Sequence, residues 1–164
     1  MGLELDPVTA DGTGVLEYGV YGGFVDGIKR YRSKMERVGG WDKARGRKNK
    51  YGCNAALWGG LGKWCYGEGG GEVWEWVFGN LTREEVMWSN GNGHTLVHKL
   101  AQRCAMASLE EVCRRWDGGW GRDKDGMMPS DLAKVEGWKK GEVWLREEEE
   151  RRGCKDIETD MEAV

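Results

Sequence analysis

The stretch NGHTLVHKLAQRC, from Asn92 to Cys104, decides how this chain is read. Gly93 opens a turn. Val97, Leu100 and Ala101 then follow at i, i+3 and i+4, the spacing of a helix with one buried face. Three other segments can be written beneath it: DGTGVLEYGVYGGFVDGIKRY from Asp11, YGCNAALWGGLG from Tyr51 and DGMMPSDLAKVEG from Asp125. Their anchor glycines are Gly12, Gly52, Gly93 and Gly126, spaced by 40, 41 and 33 residues. The period is therefore about 33, with insertions of about seven or eight residues in the first two units, and repeats of this length stack into solenoids.

Four residues after each anchor glycine stand Leu16, Ala56, Val97 and Ser130, followed by small or apolar pairs. A second apolar stretch closes each unit: Ile28 with Tyr31, Val73 with Trp76 and Val77, Val112 with Trp116, and Val143 with Trp144 and Leu145. Each unit reads as turn, helix, tight turn, helix and loop, with helix pairs beginning near Gly14, Asn54, Thr95 and Pro129.

These units resemble the ankyrin repeat and its Gly-x-Thr-Pro-Leu-His-x-Ala-Ala-x-x-Gly signature. Gly93, Thr95, Val97, His98 and Ala101 stand at signature places in the third unit. Gly126, Pro129, Ala133 and Gly137 do so in the fourth, with Asp131 in place of His; Gly12, Leu16 and Gly23 do so in the first, with Glu17 in place of His. The resemblance implies an all-α fold, an ankyrin-type solenoid of antiparallel helix pairs with protruding turns. The array covers residues 8–150, with units near 8–48, 49–88, 89–121 and 122–150, and residues 153–164 read as a disordered acidic tail. The run from Glu147 to Arg152 reads as the solvated end of the last helix.

The chain departs from the family at Gly19, Gly59 and Gly60, where Ala is usual inside the first helix. Each costs about 1 kcal/mol of helix stability, so replacing all three with Ala is expected to stabilise the array by about 2 to 3 kcal/mol if the packing has room. With the enlarged turn from Gly62 to Gly71, the second unit is expected to be the softest.

A chain of 164 residues fits one domain, and 39% hydrophobic with 32% charged residues suits a soluble protein. The mean hydropathy of -0.70 means a thin core. Net charge is only -3, so no global field favours nucleic acid, and the basic cluster of Lys43, Arg45, Arg47, Lys48 and Lys50 reads as a linker. Five cysteines with no CxxC pair suit a reducing compartment and encode neither a disulfide framework nor a zinc module. No apolar run approaches the ~20 residues of a membrane span. A cytoplasmic or nuclear setting follows, with no membrane association.

His94 and His98 would share one helical face, but His98 stands at the family's structural histidine, so no metal and no other cofactor is expected. Two histidines in one turn offer little from which to build a catalytic triad, GxSxG is absent, and GEGGGE at Gly67–Glu72 lacks dinucleotide-binding spacing. No enzyme activity and no small-molecule substrate are expected. Trp76, Trp116 and Trp144 are assigned to the core, whereas Trp41, Trp64, Trp88 and Trp120 fall in loops, where they either face a partner or fold back over the core.

The family holds a partner protein on its turn tips and inner helices. Carried over unit by unit, this points to Asp11, Thr13 and Tyr21; Lys50, Tyr51 and Leu61; Asn92, His94, Gln102 and Arg103; and Asp125, Met127 and Glu136. The expected function is a protein-protein interaction scaffold whose partner the sequence does not identify. Two alternatives stand beside it: a binder of nucleic acid or an anionic surface through residues 43–50, and a Trp/Gly-rich β-type carbohydrate-binding protein.

Overall fold

The computed structural model describes residues 6–66, 70–116 and 119–154. They form α1 (Val15–Gly22), α2 (Val25–Arg37), α3 (Trp41–Arg45), α4 (Ala55–Gly59), α5 (Gly71–Asn80), α6 (Arg83–Val86), α7 (Leu96–Gln102), α8 (Met106–Arg115), α9 (Pro129–Val135) and α10 (Lys139–Arg151), with a 3-10 turn at Lys63–Tyr66. The fold is all-α. Among the described residues the only β pairing is an isolated antiparallel bridge between Val8 and Gly14, so the β-type fold required by the carbohydrate-binding alternative is absent there. The expected tail lies outside the described residues from 155 onward. Before it, Gly153 adopts a left-handed φ of 73° and closes α10.

One turn occurs four times. Gly12, Gly52, Gly93 and Gly126 all have left-handed φ, at 84°, 76°, 81° and 77°. Each donates its amide to the carbonyl three residues earlier, on Thr9, Asn49, Asn90 and Asp123, at 2.8 to 3.1 Å. These are tight turns closed by a glycine in the conformation that L side chains avoid. Neighbouring turns are joined by single backbone bonds: Lys50 N to Asp11 O at 2.8 Å, Gly91 N to Tyr51 O at 2.9 Å and Lys124 N to Asn92 O at 3.0 Å. A Cβ on Gly52 would lie 2.9 Å from Gly91 N, so glycine is required there for closeness as well as for φ.

Behind the turns α1, α4, α7 and α9 pack in succession, and α1–α2, α7–α8 and α9–α10 pack as pairs. Leu16, Ala56, Val97 and Ser130, four residues after the anchors, are all fully buried. The insertions in the first two units contain the short helices α3 and α6. Helices α1, α7 and α9 end alike. Phe24 N bonds Gly19 O, Ala105 N bonds Leu100 O and Trp138 N bonds Ala133 O, over left-handed Gly23, Cys104 and Gly137. This Schellman closure satisfies carbonyls that a helix end leaves open.

Glu17, His98 and Asp131, which looked dissimilar in sequence, do one job. Each sits at the third helical position and accepts the amide of the residue that starts its helix: Gly14 N to Glu17 Oε2 at 3.0 Å, Thr95 N to His98 Nδ1 at 3.2 Å and Met128 N to Asp131 Oδ2 at 3.0 Å. Any compact acceptor fills this role. In the remaining unit the bond runs the other way, from Leu57 N to the Asn54 side chain.

Several expectations need correction. Val143, assigned to a buried face, is 57% exposed, because α10 turns Leu145 and Glu149 inward instead. The end of α10 is not wholly solvated. Glu149 is 5% exposed and accepts from Ser130 N at 2.9 Å and Ser130 Oγ at 2.6 Å, while Arg152 donates to Cys113 O at 3.2 Å. The loop tryptophans mostly fold back. Trp41 packs edge-on against Trp76 and Trp64 against Trp74, and the Trp64 indole donates to Val20 O at 2.8 Å and Tyr21 O at 3.1 Å. The stretch expected to loosen the second unit therefore also ties it to α1, although residues 67–69 lie outside the described residues.

Candidate binding face

The expected contact residues divide into three groups. Asp11, Lys50, Tyr51, Asn92 and Asp125 stand on the turn tips, and the backbone rungs join Asp11 to Lys50, Tyr51 to Gly91 and Asn92 to Lys124. Tyr51 is 59% exposed, and the Lys50 ammonium lies 5.0 Å from the centre of its ring. Tyr21, Leu61, Gln102, Arg103 and Glu136 lie at or beyond the far ends of the inner helices. Thr13, His94 and Met127 are turned inward. Thr13 is fully buried and its hydroxyl accepts from Asn49 Nδ2 at 3.1 Å; Met127 gives its carbonyl to His98 Nε2 at 3.3 Å.

The most developed cluster joins the third and fourth turns. Asp123 Oδ1 accepts the amides of Asp125 and Met127, both at 2.9 Å, and so shapes the turn. Asp123 Oδ2 lies 2.9 Å from His94 Nε2, Lys99 Nζ lies 2.8 Å from His94 Nδ1, and the same ammonium donates to Gln102 Oε1 at 3.2 Å. One protonation state satisfies every contact: a charged Lys99, an ionised Asp123 and a neutral His94 with its proton on Nε2. Burial and the Lys99 charge hold the His94 pKa below its ordinary value against the pull of Asp123. Burial raises the Asp123 carboxyl, but the amides of Met127 and Asp125 and the His94 ring outweigh it, so its pKa lies below the usual carboxylate range. Burial likewise lowers Lys99. The relay thus carries one ammonium from α7 along the inner side of the turns, within hydrogen-bonding reach of two of the expected contact residues, His94 and Gln102.

Asp123 and Lys99 were missed in the sequence reading. A signal for Asp123 existed: Thr9, Asn49, Asn90 and Asp123 all stand three residues before an anchor glycine. Asn49 Oδ1 accepts the amides of Tyr51 and Cys53, and Asn90 Oδ1 those of Asn92 and His94, all at 3.0 to 3.1 Å. In the first turn Asp11 substitutes, accepting Thr13 N at 3.1 Å. Trp88, for which the sequence left open whether it faces a partner or folds back, is 38% exposed. Its indole donates to Gly52 O at 2.8 Å and the Lys48 ammonium sits 3.2 Å from a ring centre.

The basic segment 43–50 is largely committed within the fold. Arg47 pairs with Asp6 and lies 3.9 Å from Glu17, Arg45 pairs with Asp42 at 3.0 Å and lies 3.8 Å from Glu85, and Lys48 is held by Trp88. No group of three or more His, Cys, Asp or Glu side chains suited to a metal ion occurs among the described residues, and no described helix is long and apolar enough to cross a membrane. In comparisons with known proteins, no family model matches the chain and no curated protein matches it by sequence.

Proposed function

We infer that this chain is a protein-interaction scaffold, a short and degenerate ankyrin-type solenoid that holds a partner protein along its turn tips and inner helices. The observation that carries the reading is the ladder of turns: four left-handed anchor glycines, with backbone rungs from Asp11 to Lys50, Tyr51 to Gly91 and Asn92 to Lys124. Such a ladder fixes exposed side chains on a rigid edge, and preorganised side chains lose little entropy on binding. The internal pairing of Arg45 and Arg47 tells against nucleic acid as the partner, since phosphate binding draws on charges that are not already neutralised.

The test is site-specific photo-crosslinking in cells. A crosslinker at Tyr51, Asn92 or Asp125 should capture one common protein, and a crosslinker at Lys34 on α2 or Glu147 on α10 should not. Equal capture from both sets, or capture from the second set alone, would remove the proposed face.

A further inference from the structure

We propose that Lys99 is an acylation site: its amine, with His94 as general base and Asp123 as the group that positions His94, takes an acyl group from an activated donor, an acyl phosphate or a thioester. The three side chains stand in line. Lys99 Nζ lies 2.8 Å from His94 Nδ1, and His94 Nε2 lies 2.9 Å from Asp123 Oδ2. A nucleophile within hydrogen-bonding reach of a base, with the base held by a third group, is the arrangement that acyl transfer uses. Each member is fixed from a different direction. The stem of Lys99 leans on the end of α4, where a Cβ on Gly60 would lie 3.0 Å from Lys99 Cβ. The His94 ring is stacked on that of fully buried His98, with centres 5.6 Å apart and planes 14° apart. Asp123 is anchored by the Asp125 and Met127 amides of its own turn. Lys48 and Lys50, by contrast, lie against aromatic rings.

Lys99 reacts from the fraction that has lost its proton to solvent. Burial is the largest influence on this ammonium and favours the neutral amine; Arg103 adds to it, while Cys53 from the second unit and Asp123 from the fourth oppose it. The balance holds the Lys99 pKa below the ordinary lysine value. The side chain is half-buried, and His94 and Gln102 take two of its three hydrogen-bonding positions. The neutral amine therefore keeps both bonds and turns its lone pair to the third position. Attack there forms the N–C bond and moves the carbonyl π pair onto oxygen. The N–H that faces His94 gives its proton to Nδ1, and Asp123 stabilises the resulting imidazolium. As the carbonyl re-forms, the C–O bond to phosphate or the C–S bond of the thioester breaks, and the imidazolium proton passes to the leaving group. Nothing is oxidised or reduced. The reaction ends at the amide, because the turn amides that could hold an oxyanion are already given to the Asn90 and Asp123 side chains. Acylation thus removes an ammonium charge from the inner side of the turns.

The test is competitive labelling of the full chain, with trace deuterated acetyl phosphate in one arm and trace deuterated S-acetyl-N-acetylcysteamine in the other. Complete acetylation with ordinary reagent in denaturant follows, and peptide mass spectrometry gives the rate at each lysine. In at least one arm Lys99 should react about 10-fold or more faster than the exposed Lys34, Lys134 and Lys140, although it is less accessible than they are. The arm in which it leads identifies the donor. Its rate should also reach half of its plateau at a lower pH than theirs. His94→Gln and Asp123→Asn, with unchanged circular dichroism, should bring Lys99 down to the rate of the exposed lysines or below and leave those lysines as they were. The comparison within the wild type needs no variant, so it decides the matter even where a variant misfolds. Lys99 no faster than the exposed lysines in both arms, or with a midpoint no lower than theirs, overturns the proposal. So does a fast reaction that either folded variant leaves unaltered, which would make burial alone its cause.

Discussion

A Cβ placed on Gly19 would lie 2.3 Å from Cγ2 of Ile28, a buried β-branched side chain with little freedom to move aside. The glycine that looks like a flaw in α1 is what lets α2 approach. At Gly60 the added carbon would lie 2.8 Å from Leu96 Cδ1 and 3.0 Å from Lys99 Cβ; at Gly59 the nearest atom is Val20 Cγ1 at 3.1 Å. The gain expected for Ala at these positions is therefore reversed at two of them. Gly19→Ala and Gly60→Ala should each destabilise by about 1 to 3 kcal/mol through overpacking. Gly59 proves to be the last residue of α4 and Gly60 its cap rather than interior positions, so the propensity gain of Gly59→Ala is below the interior value of about 1 kcal/mol and, set against a milder clash, should leave stability near neutral. Urea denaturation of the single variants checks this, and a stabilised Gly19→Ala would mean that α1 and α2 are not packed this closely.

Period, helix starts and anchor glycines were legible because each rests on a local rule: glycine at positive φ, then apolar spacing of three and four. The first helix of each pair starts at Val15, Ala55, Leu96 and Pro129, within a residue of the reading. What sequence could not show were contacts between elements. Gly19 against Ile28, Trp64 against the carbonyls of α1, and Glu149 against Ser130 all depend on which elements meet, and no local pattern encodes that. On the candidate face, His94 was legible as a turn residue and Asp123 by its place three residues before an anchor glycine, whereas their meeting becomes visible only when two turns are placed side by side.

Cys104 is the only described non-glycine residue at positive φ, 54°, and it stands where Gly23 and Gly137 close the equivalent helix ends. A left-handed conformation costs an L residue about 1 kcal/mol or more. Cys104 is exposed, so little packing is lost with its side chain. Cys104→Gly should therefore raise stability by about 0.5 to 1 kcal/mol, net of the greater entropy glycine gives the unfolded chain. A lowered thermal midpoint would show that the thiol makes contacts that outweigh the strain.

His98 is fully buried, and burial pushes its pKa down to about 4, only partly opposed by the Met127 carbonyl. Its folded pKa lies below the unfolded value of about 6.5, so the unfolded chain binds more protons in between. The contribution to stability is complete above about pH 6.5 and is lost as pH falls towards 4, with up to about 3 kcal/mol at stake. Glu17 and Glu149 act in the opposite sense, since burial raises both and their protonation relieves the folded state as pH falls. The His98 contribution must therefore be read as the difference between wild type and His98→Gln across pH 4 to 7. That difference should shrink on acidification, and a constant difference would place His98 in a solvated site.

Asp123 has two separable tasks, because one oxygen caps the turn through the amides of Asp125 and Met127 and the other meets the Nε2–H of His94. Asp123→Ala removes both and leaves buried donors unpaired, so it should cost about 2 to 4 kcal/mol. Asp123→Asn keeps a carbonyl oxygen for the two amides, as Asn49 and Asn90 do in their own turns. It sets an amide N–H against His94 Nε2–H, however. If His94 moves its proton to Nδ1 to escape, it then opposes the Lys99 ammonium, so neither tautomer satisfies the relay. Asp123→Asn should therefore fold with an intact turn at a cost of about 1 kcal/mol and release Lys99 from His94. Nitrogen chemical shifts of the His94 ring report the tautomer, and those of the Lys99 side chain report the contact. Unchanged shifts at both residues in Asp123→Asn would mean that the carboxylate serves the turn alone and that His94 and Lys99 are held by something else.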